Sequence, residues 1–271
     1  MTIQIGISPC PNDTFIFDAL AQGRIDTQGL QFAFIFEDVE TLNQLAAQQK
    51  LDLLKLSYAN YFSVAQHYML LRSGGAMGEG VGPLLVAREP MALENLPHLH
   101  IGIPGERTTA NFLLSQALPQ ITHKSIFLFS EIEDAVLSGQ VDAGLIIHEN
   151  RFTYADKGLV RLLDLGEVWE EKTKLPIPLG GIAIRRDWPT DHQKQINQLI
   201  RQSIEFAWTQ YPELSPFIIS HSQAMHESVM RQHIQLYVND YSLDPGNRGI
   251  AAVNKMASSF HHPDNLPIYI Y

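Results

Sequence analysis

LDLLKLS, residues 51–57, is an almost unbroken apolar run of strand length, interrupted by one lysine and closed by a serine. A strand with one wet face alternates apolar and polar residues. A continuous run instead marks a parallel strand covered on both faces. Upstream, IQIGIS (3–8) and LQFAFIFE (30–37) read as strands. Between them NDTFIFDALAQ (12–22) reads as a helix capped by Asn12 or Asp13, and DVETLNQLAAQ (38–48) as a second helix. The order strand, helix, strand, helix, strand predicts a parallel sheet with right-handed crossovers.

The same grammar returns downstream. LHIGIPGERTTANFLLSQAL (99–118) echoes IQIGISPCPNDTFIFDAL (3–20): strand, short polar loop, capped helix. LSGQVDAGLIIH (137–148) echoes AAQQKLDLLKLS (46–57): helix end, an aspartate opening the strand, an apolar run, one polar residue. The echo puts Ser57 and His148 in corresponding places, each at the carboxyl end of a parallel strand. Two α/β lobes of similar build follow.

Glycine-rich SGGAMGEGVG (73–82) and the strand PLLVARE (83–89) end the first run. The strand PLGGIAIRR (178–186) precedes a helical tail, in which Ile196, Ile200 and Ile204 share one face. The chain is thus expected to cross near residue 89 and return near 178. That makes one lobe of residues 1–88 plus 179–271 and a smaller lobe of residues 89–178. Two crossing segments form a hinge, and a hinge encloses a cleft. The glycines open no nucleotide loop: Glu79 and Pro83 stand where a phosphate loop needs Lys and Ser/Thr, and the stretch precedes a strand instead of following one.

The 271 residues suffice for two modest lobes, and no segment approaches the ~20 apolar residues of a membrane span. Acidic residues outnumber basic ones, 29 to 19, with no positive stripe, so neither nucleic acid nor an acidic membrane surface is an expected partner. MTIQIGIS lacks the features of a secretory signal, and a cytoplasmic location is expected. The single Cys10 excludes an intrachain disulfide and any multi-cysteine zinc site. With no histidine near it in sequence, it reads as a space-filler.

Ligands of open parallel sheets bind outside the carboxyl ends of the strands. Here those ends carry Ser8 to Asp13, Ser57, the loop Pro104–Ala110 and His148. Helix starts at Asn12–Asp13–Thr14 and Thr108–Thr109–Ala110 offer unpaired amides suited to a carboxylate or phosphate, with Thr108 and Thr109 adding hydroxyls. Simple N-capping is the plainer use of the same groups. His148 reads either as a structural hydrogen-bonder or as a proton acceptor near neutrality. Glu149 beside it is expected to point away, and no second histidine follows at metal-ligand spacing. His98 and His100 flank a strand start, and His261 and His262 lie in a C-terminal turn. His67, His123, His221, His226 and His233 lie in helical or loop contexts without metal-ligand company, so no metal is expected. Tyr58, Tyr61, Phe152 and Tyr154 near the key strand ends are core residues by default, able also to stack on a flat ring.

SPCPNDTFIF (8–17), EDVETLN (37–43), KLSYA (55–59), LRSGGAMGEGVGPL (71–84), RTTANFLL (107–114), GLIIHENRFTY (145–154) and WEEKTKLPIPLG (169–180) together resemble the 1,4-dihydroxy-6-naphthoate synthase family. The resemblance implies a two-lobed fold like the type 2 periplasmic binding proteins. It also implies cofactor-free cleavage of cyclic dehypoxanthine futalosine to 1,4-dihydroxy-6-naphthoate and dihydroxyacetone, on the futalosine route to menaquinone. The family's general base matches His148. Its substrate contacts match Lys55, Leu56 and Ser57 on one lobe and Thr109 with Ala110 on the other. The partner so implied is a small aromatic carboxylate; a homodimer is left open. The rivals are a solute-binding protein of the same fold, the sister enzyme chorismate dehydratase, and a sensor domain, which lacks a DNA-reading segment here.

Overall fold

In a computed structural model describing residues 2–222, 226–260, 262–263 and 266–270, the chain alternates strand and helix. It opens β1 (Thr2–Ile7), α1 (Pro11–Ala21), β2 (Gln31–Phe36), α2 (Val39–Ala47), β3 (Leu53–Ser57), α3 (Tyr58–Val64), β4 (Tyr68–Leu70) and β5 (Ala76–Gly78). Next come β6 (Leu84–Ala87), β7 (Ile101–Ile103), α4 (Thr109–Ala117), β8 (Lys124–Ile126), α5 (Ile132–Leu137), β9 (Ala143–Ile146), α6 (Asn150–Thr153), β10 (Val160–Asp164) and α7 (Leu165–Thr173). After β11 (Ile177–Arg185) the helices α8 (Thr190–Gln210), α9 (Pro216–His221), α10 (Glu227–Tyr237), α11 (Asp240–Leu243) and α12 (Gly246–Ala257) complete it.

Two sheets result. The first has the order β2-β1-β3-β11-β4, with β5 also on β11; the second has the order β10-β6-β9-β7-β8. β1 pairs with β2 and β3 in parallel, and β7 with β8 and β9 likewise. β11, β6 and β10 run antiparallel to their neighbours, so both sheets are mixed. The continuous apolar run of β3 is explained by its central place between β1 and β11, where all five residues are buried. Alternation divides them: Leu54 and Leu56 enter one core cluster, Leu53 the other.

One boundary differs from expectation. Residues 84–87 do not close the first lobe's sheet: Leu84 pairs with Ile146 and Val86 with Gly144 and Arg161, inside the second. A short apolar run looks the same whichever sheet covers it, so its pairing partner cannot be read locally. The crossings therefore lie between β5 and β6 and between β10 and β11. The first helix also starts earlier than expected. Cys10 is its N-cap without a side-chain bond, and Pro11 is its first residue. Proline's fixed φ and missing N–H suit that position, which leaves Asn12 and Asp13 inside the first turn.

The two crossing segments touch at a pair of glycines. A Cβ on Gly82 would lie 2.2 Å from the Gly166 nitrogen and 2.3 Å from its Cα. Arg151 braces the same spot, donating to the Gly82 carbonyl and pairing with Asp164 at 2.8 Å. Asp164 in turn caps α7 through the amides of Gly166 and Glu167. Backbone cannot yield as a side chain does, so Gly82→Ala is expected to destabilise the fold by about 1–3 kcal/mol. Urea unfolding measures this; an unchanged midpoint would mean that the segments part freely.

In the tail, Ile196, Ile200 and Ile204 are fully buried where α8 packs on α1, each burial contributing about 1.5–3 kcal/mol. α10 packs against α1 and β5, which brings its face beneath the cleft. Among the described residues no helix is long and apolar enough to cross a membrane.

Candidate active site

The carboxyl ends of β1, β3, β7 and β9 open onto one cavity of about 670 Å³, its mouth included. Ser8, Asn12, Asp13, Lys55 and Ser57 line it from the first lobe; Thr108, Thr109, Ala110 and His148 from the second; His233 and Tyr237 from the tail. Leu56 is the exception among the residues singled out from sequence. Its side chain is fully buried in the core, because neighbours along β3 face opposite sides and Lys55 and Ser57 take the cavity side.

Asp13 is the hub of the first lobe's wall. It accepts from the Ser8 amide and hydroxyl at 3.2 and 2.8 Å, from Asn12 Nδ2 at 2.9 Å, and from Lys55 Nζ at 2.7 Å. The ion pair is almost wholly enclosed, with side-chain exposures of 7% for Lys55 and 1% for Asp13. Asn12 Oδ1 lines the same wall, buried and without a partner among the described residues.

The threonines at the start of α4 are committed elsewhere. Thr108 caps the helix, accepting from the Asn111 amide at 3.2 Å and donating to the Gly105 carbonyl at 2.8 Å. Thr109 Oγ1 donates to the Leu179 carbonyl at 2.7 Å and accepts from the Ala59 amide at 3.3 Å. Its hydroxyl ties the lobes together instead of offering a free donor. What remains for a ligand are the first-turn amides of Thr109 and Ala110, which no intrahelical carbonyl can reach. Two further contacts cross the cleft: Glu40 accepts from the Arg107 amide at 3.2 Å, and Asn43 donates to the Arg107 carbonyl at 3.4 Å. Asn43 also holds Ser57, through the Ser57 amide at 2.9 Å and its hydroxyl at 3.1 Å.

His148 lies two residues beyond β9, in a left-handed turn with φ of 57°. Histidine tolerates this conformation better than most side chains, and the turn swings the ring off the strand axis into the cavity. The ring packs against Phe129, centroids 4.9 Å apart. Burial draws its pKa down from 6.5 to about 4; Asp13 and Asp38 act upward and Lys55 downward by smaller amounts. The imidazole is therefore neutral near pH 7 and able to accept a proton.

The same turn overrides two sequence expectations. Glu149 does not point away, and Cys10 does have a histidine beside it: one donor atom from each of Cys10, His148 and Glu149 lies within 4.8 Å of the others. Such a set has the composition of a transition-metal site. Burial, however, pushes the Cys10 thiol and the Glu149 carboxyl up, toward their protonated forms, and metal ligands must give up their protons. Cys10, 1% exposed, stays a thiol.

His233 and Tyr237 are the residues that sequence reading missed. They share the buried face of α10 with Met230 and Ile234. A histidine at helical spacing within an apolar stripe was the available signal. The other histidines lie off the cavity: His100 stacks on His123 at 3.9 Å, His221 on Phe36 at 4.2 Å, and His262 bonds the Leu266 carbonyl at 2.9 Å. His261 lies outside the described residues. Tyr58 and Tyr61 are core residues.

Comparison with known proteins adds a family to this geometry. The sequence profile described as menaquinone biosynthesis matches residues 3–262. A 1,4-dihydroxy-6-naphthoate synthase of Thermus thermophilus is 42% identical over 99% of this chain and 99% of its own. The enzyme of the same name from Streptomyces coelicolor is 42% identical over 93% of this chain and 90% of its own. Among solved structures, a Candida albicans protein described as having the generic periplasmic binding protein fold superposes with a TM-score of 0.70 at 14% identity, covering 98% of this chain and 93% of that one. That last likeness concerns the fold alone.

Proposed function

The chain belongs to the menaquinone biosynthesis family, and from that premise we propose that it splits cyclic dehypoxanthine futalosine into 1,4-dihydroxy-6-naphthoate and dihydroxyacetone, with His148 as general base. The observation that carries this reading is a neutral imidazole facing a cavity whose other polar walls suit a carboxylate.

The first-turn amides of α4 and the helix dipole hold the substrate carboxylate. Lys55 is charge-balanced by Asp13 and so orients a polar group instead of acting as a free cation. His148 removes the proton of a substrate hydroxyl. The C–O bond so freed becomes a carbonyl, and the neighbouring C–C bond breaks. Its electron pair passes into the ring system as an enolate, and tautomerisation yields the aromatic diol. The pKa of about 4 belongs to the unliganded cavity; a bound carboxylate raises it and makes the base stronger when substrate is present.

Incubation with the cyclic intermediate, followed by chromatography of the products, tests the assignment. Naphthoate and dihydroxyacetone are expected in equal amounts. Binding without turnover would return the chain to the solute-binding class. Because a protonated imidazole cannot act as base, kcat/KM is expected to hold level from pH 7 to about pH 5 and to fall as pH drops through about 4. A midpoint near 6.5 would mean that the working base is not the enclosed ring.

A further inference from the structure

His233 sits on α10 with no exposed surface, and neither Nδ1 nor Nε2 has a hydrogen-bond partner among the described residues. An imidazole carries one donor and one acceptor, and each left unmet in an enclosed place is destabilising. A packing role would be served better by a leucine or phenylalanine. Orphaned polar atoms on a cavity wall call for a ligand, and this ring lines the same cavity as His148. The two rings are 6.0 Å apart, centre to centre, with planes 15° from parallel. Tyr237 lies 4.6 Å away on the same helix, and the Phe152 ring 6.4 Å away on α6.

Resting on the reaction proposed above, we propose that His233 touches the substrate and donates a hydrogen bond to the oxygen on which negative charge collects as the C–C bond breaks. The hydroxyl proton goes to His148, and the hydroxyl oxygen becomes the carbonyl of the departing fragment. The C–C electron pair forms the enolate, whose oxygen rests against the His233 N–H. No proton leaves His233; the ring is a fixed dipole, of the kind that stabilises developing charge without reorganisation. An uncharged donor fits this place. Burial first, then His148 and Lys55, hold the His233 pKa well below its usual value, and a second cation beside a newly protonated His148 would be repelled. The other ionisable groups of this neighbourhood are Asp13, Cys10, Glu149 and Tyr237.

The test compares the full-length wild type, His233→Phe and His233→Gln, with the cyclic intermediate as substrate. His233→Phe is expected to lower kcat about 10²–10³-fold with KM changed less than fivefold. His233→Gln, which restores an amide donor, is expected to recover at least tenfold of that loss. A purely structural role would lower Tm and leave kcat alone, so melting curves accompany the kinetics. If the wild type releases no naphthoate, the proposed reaction fails and this inference with it. If the wild type turns over and His233→Phe keeps kcat within threefold, the reaction stands and the role of His233 alone is overturned. Should His233→Phe not fold, the ring nitrogens of wild-type His233 are followed by 15N NMR as 1,4-dihydroxy-6-naphthoate is added. A shift confined to the donor nitrogen supports the contact; unmoved signals overturn it.

Discussion

Replacing His148 by asparagine is expected to lower kcat by about 10²–10⁴-fold, the range lost when a positioned general base is removed, with KM and Tm near their wild-type values. Asparagine is the better probe because φ at this position is 57°. Asparagine and histidine both accept the left-handed region, whereas alanine adds a strain of about 1–2 kcal/mol and confuses base loss with backbone adjustment. The ring makes no hydrogen bond among the described residues, and its packing partner Phe129 is 4.9 Å away, so few contacts leave with it. Steady-state kinetics on the cyclic intermediate, with ligand binding measured by product fluorescence, checks both halves. Turnover within threefold of wild type would remove His148 from the mechanism.

Lys55→Met is expected to cost about 3–5 kcal/mol of folding stability, the range found when one partner of a buried ion pair is removed. The Nζ–Oδ1 distance is 2.7 Å, and the Asp13 side chain is 1% exposed. Ser8 and Asn12 still donate to the carboxylate, but no positive charge then balances it. Unfolding energies of domains are about 5–15 kcal/mol, so the loss is large. Lys55→Met combined with Asp13→Leu is expected to regain most of the loss, since matched apolar groups replace a buried pair at little net cost. Urea unfolding of the single and double variants decides it. Equal stability of Lys55→Met and wild type would mean that water reaches Asp13 freely.

The strands at 53–57 and 143–146 were legible because apolar runs of that length have few other solutions, and each leads to a polar residue, Ser57 or His148, that lines the cavity. Helix starts were legible where a cap chemistry is strong: Asp38 and Thr108 both cap as their residue types favour. Pro11 displaced the first helix start by overriding the Asn12 and Asp13 signals. The partnering of residues 84–87 escaped, because the pairing residues, Ala143 to Ile146 and Val160 to Asp164, lie more than fifty positions away. His233 escaped for a related reason: its helix reads as an ordinary amphipathic segment until α10 is packed on α1 and β5.

The sequence alone carried the two-lobed α/β architecture, the family and most of the strand-end residues that line the cleft, since periodicity, caps and motif residues act over a few positions.

 Tertiary structure decided the rest: which sheet takes 84–87, that Thr109 is spent on bridging the lobes, and that Cys10, His148, Glu149 and His233 share one neighbourhood. Those outcomes depend on burial and on contacts between residues far apart in the chain. No local pattern encodes them, because the energy of a buried polar group is set by the atoms that enclose it.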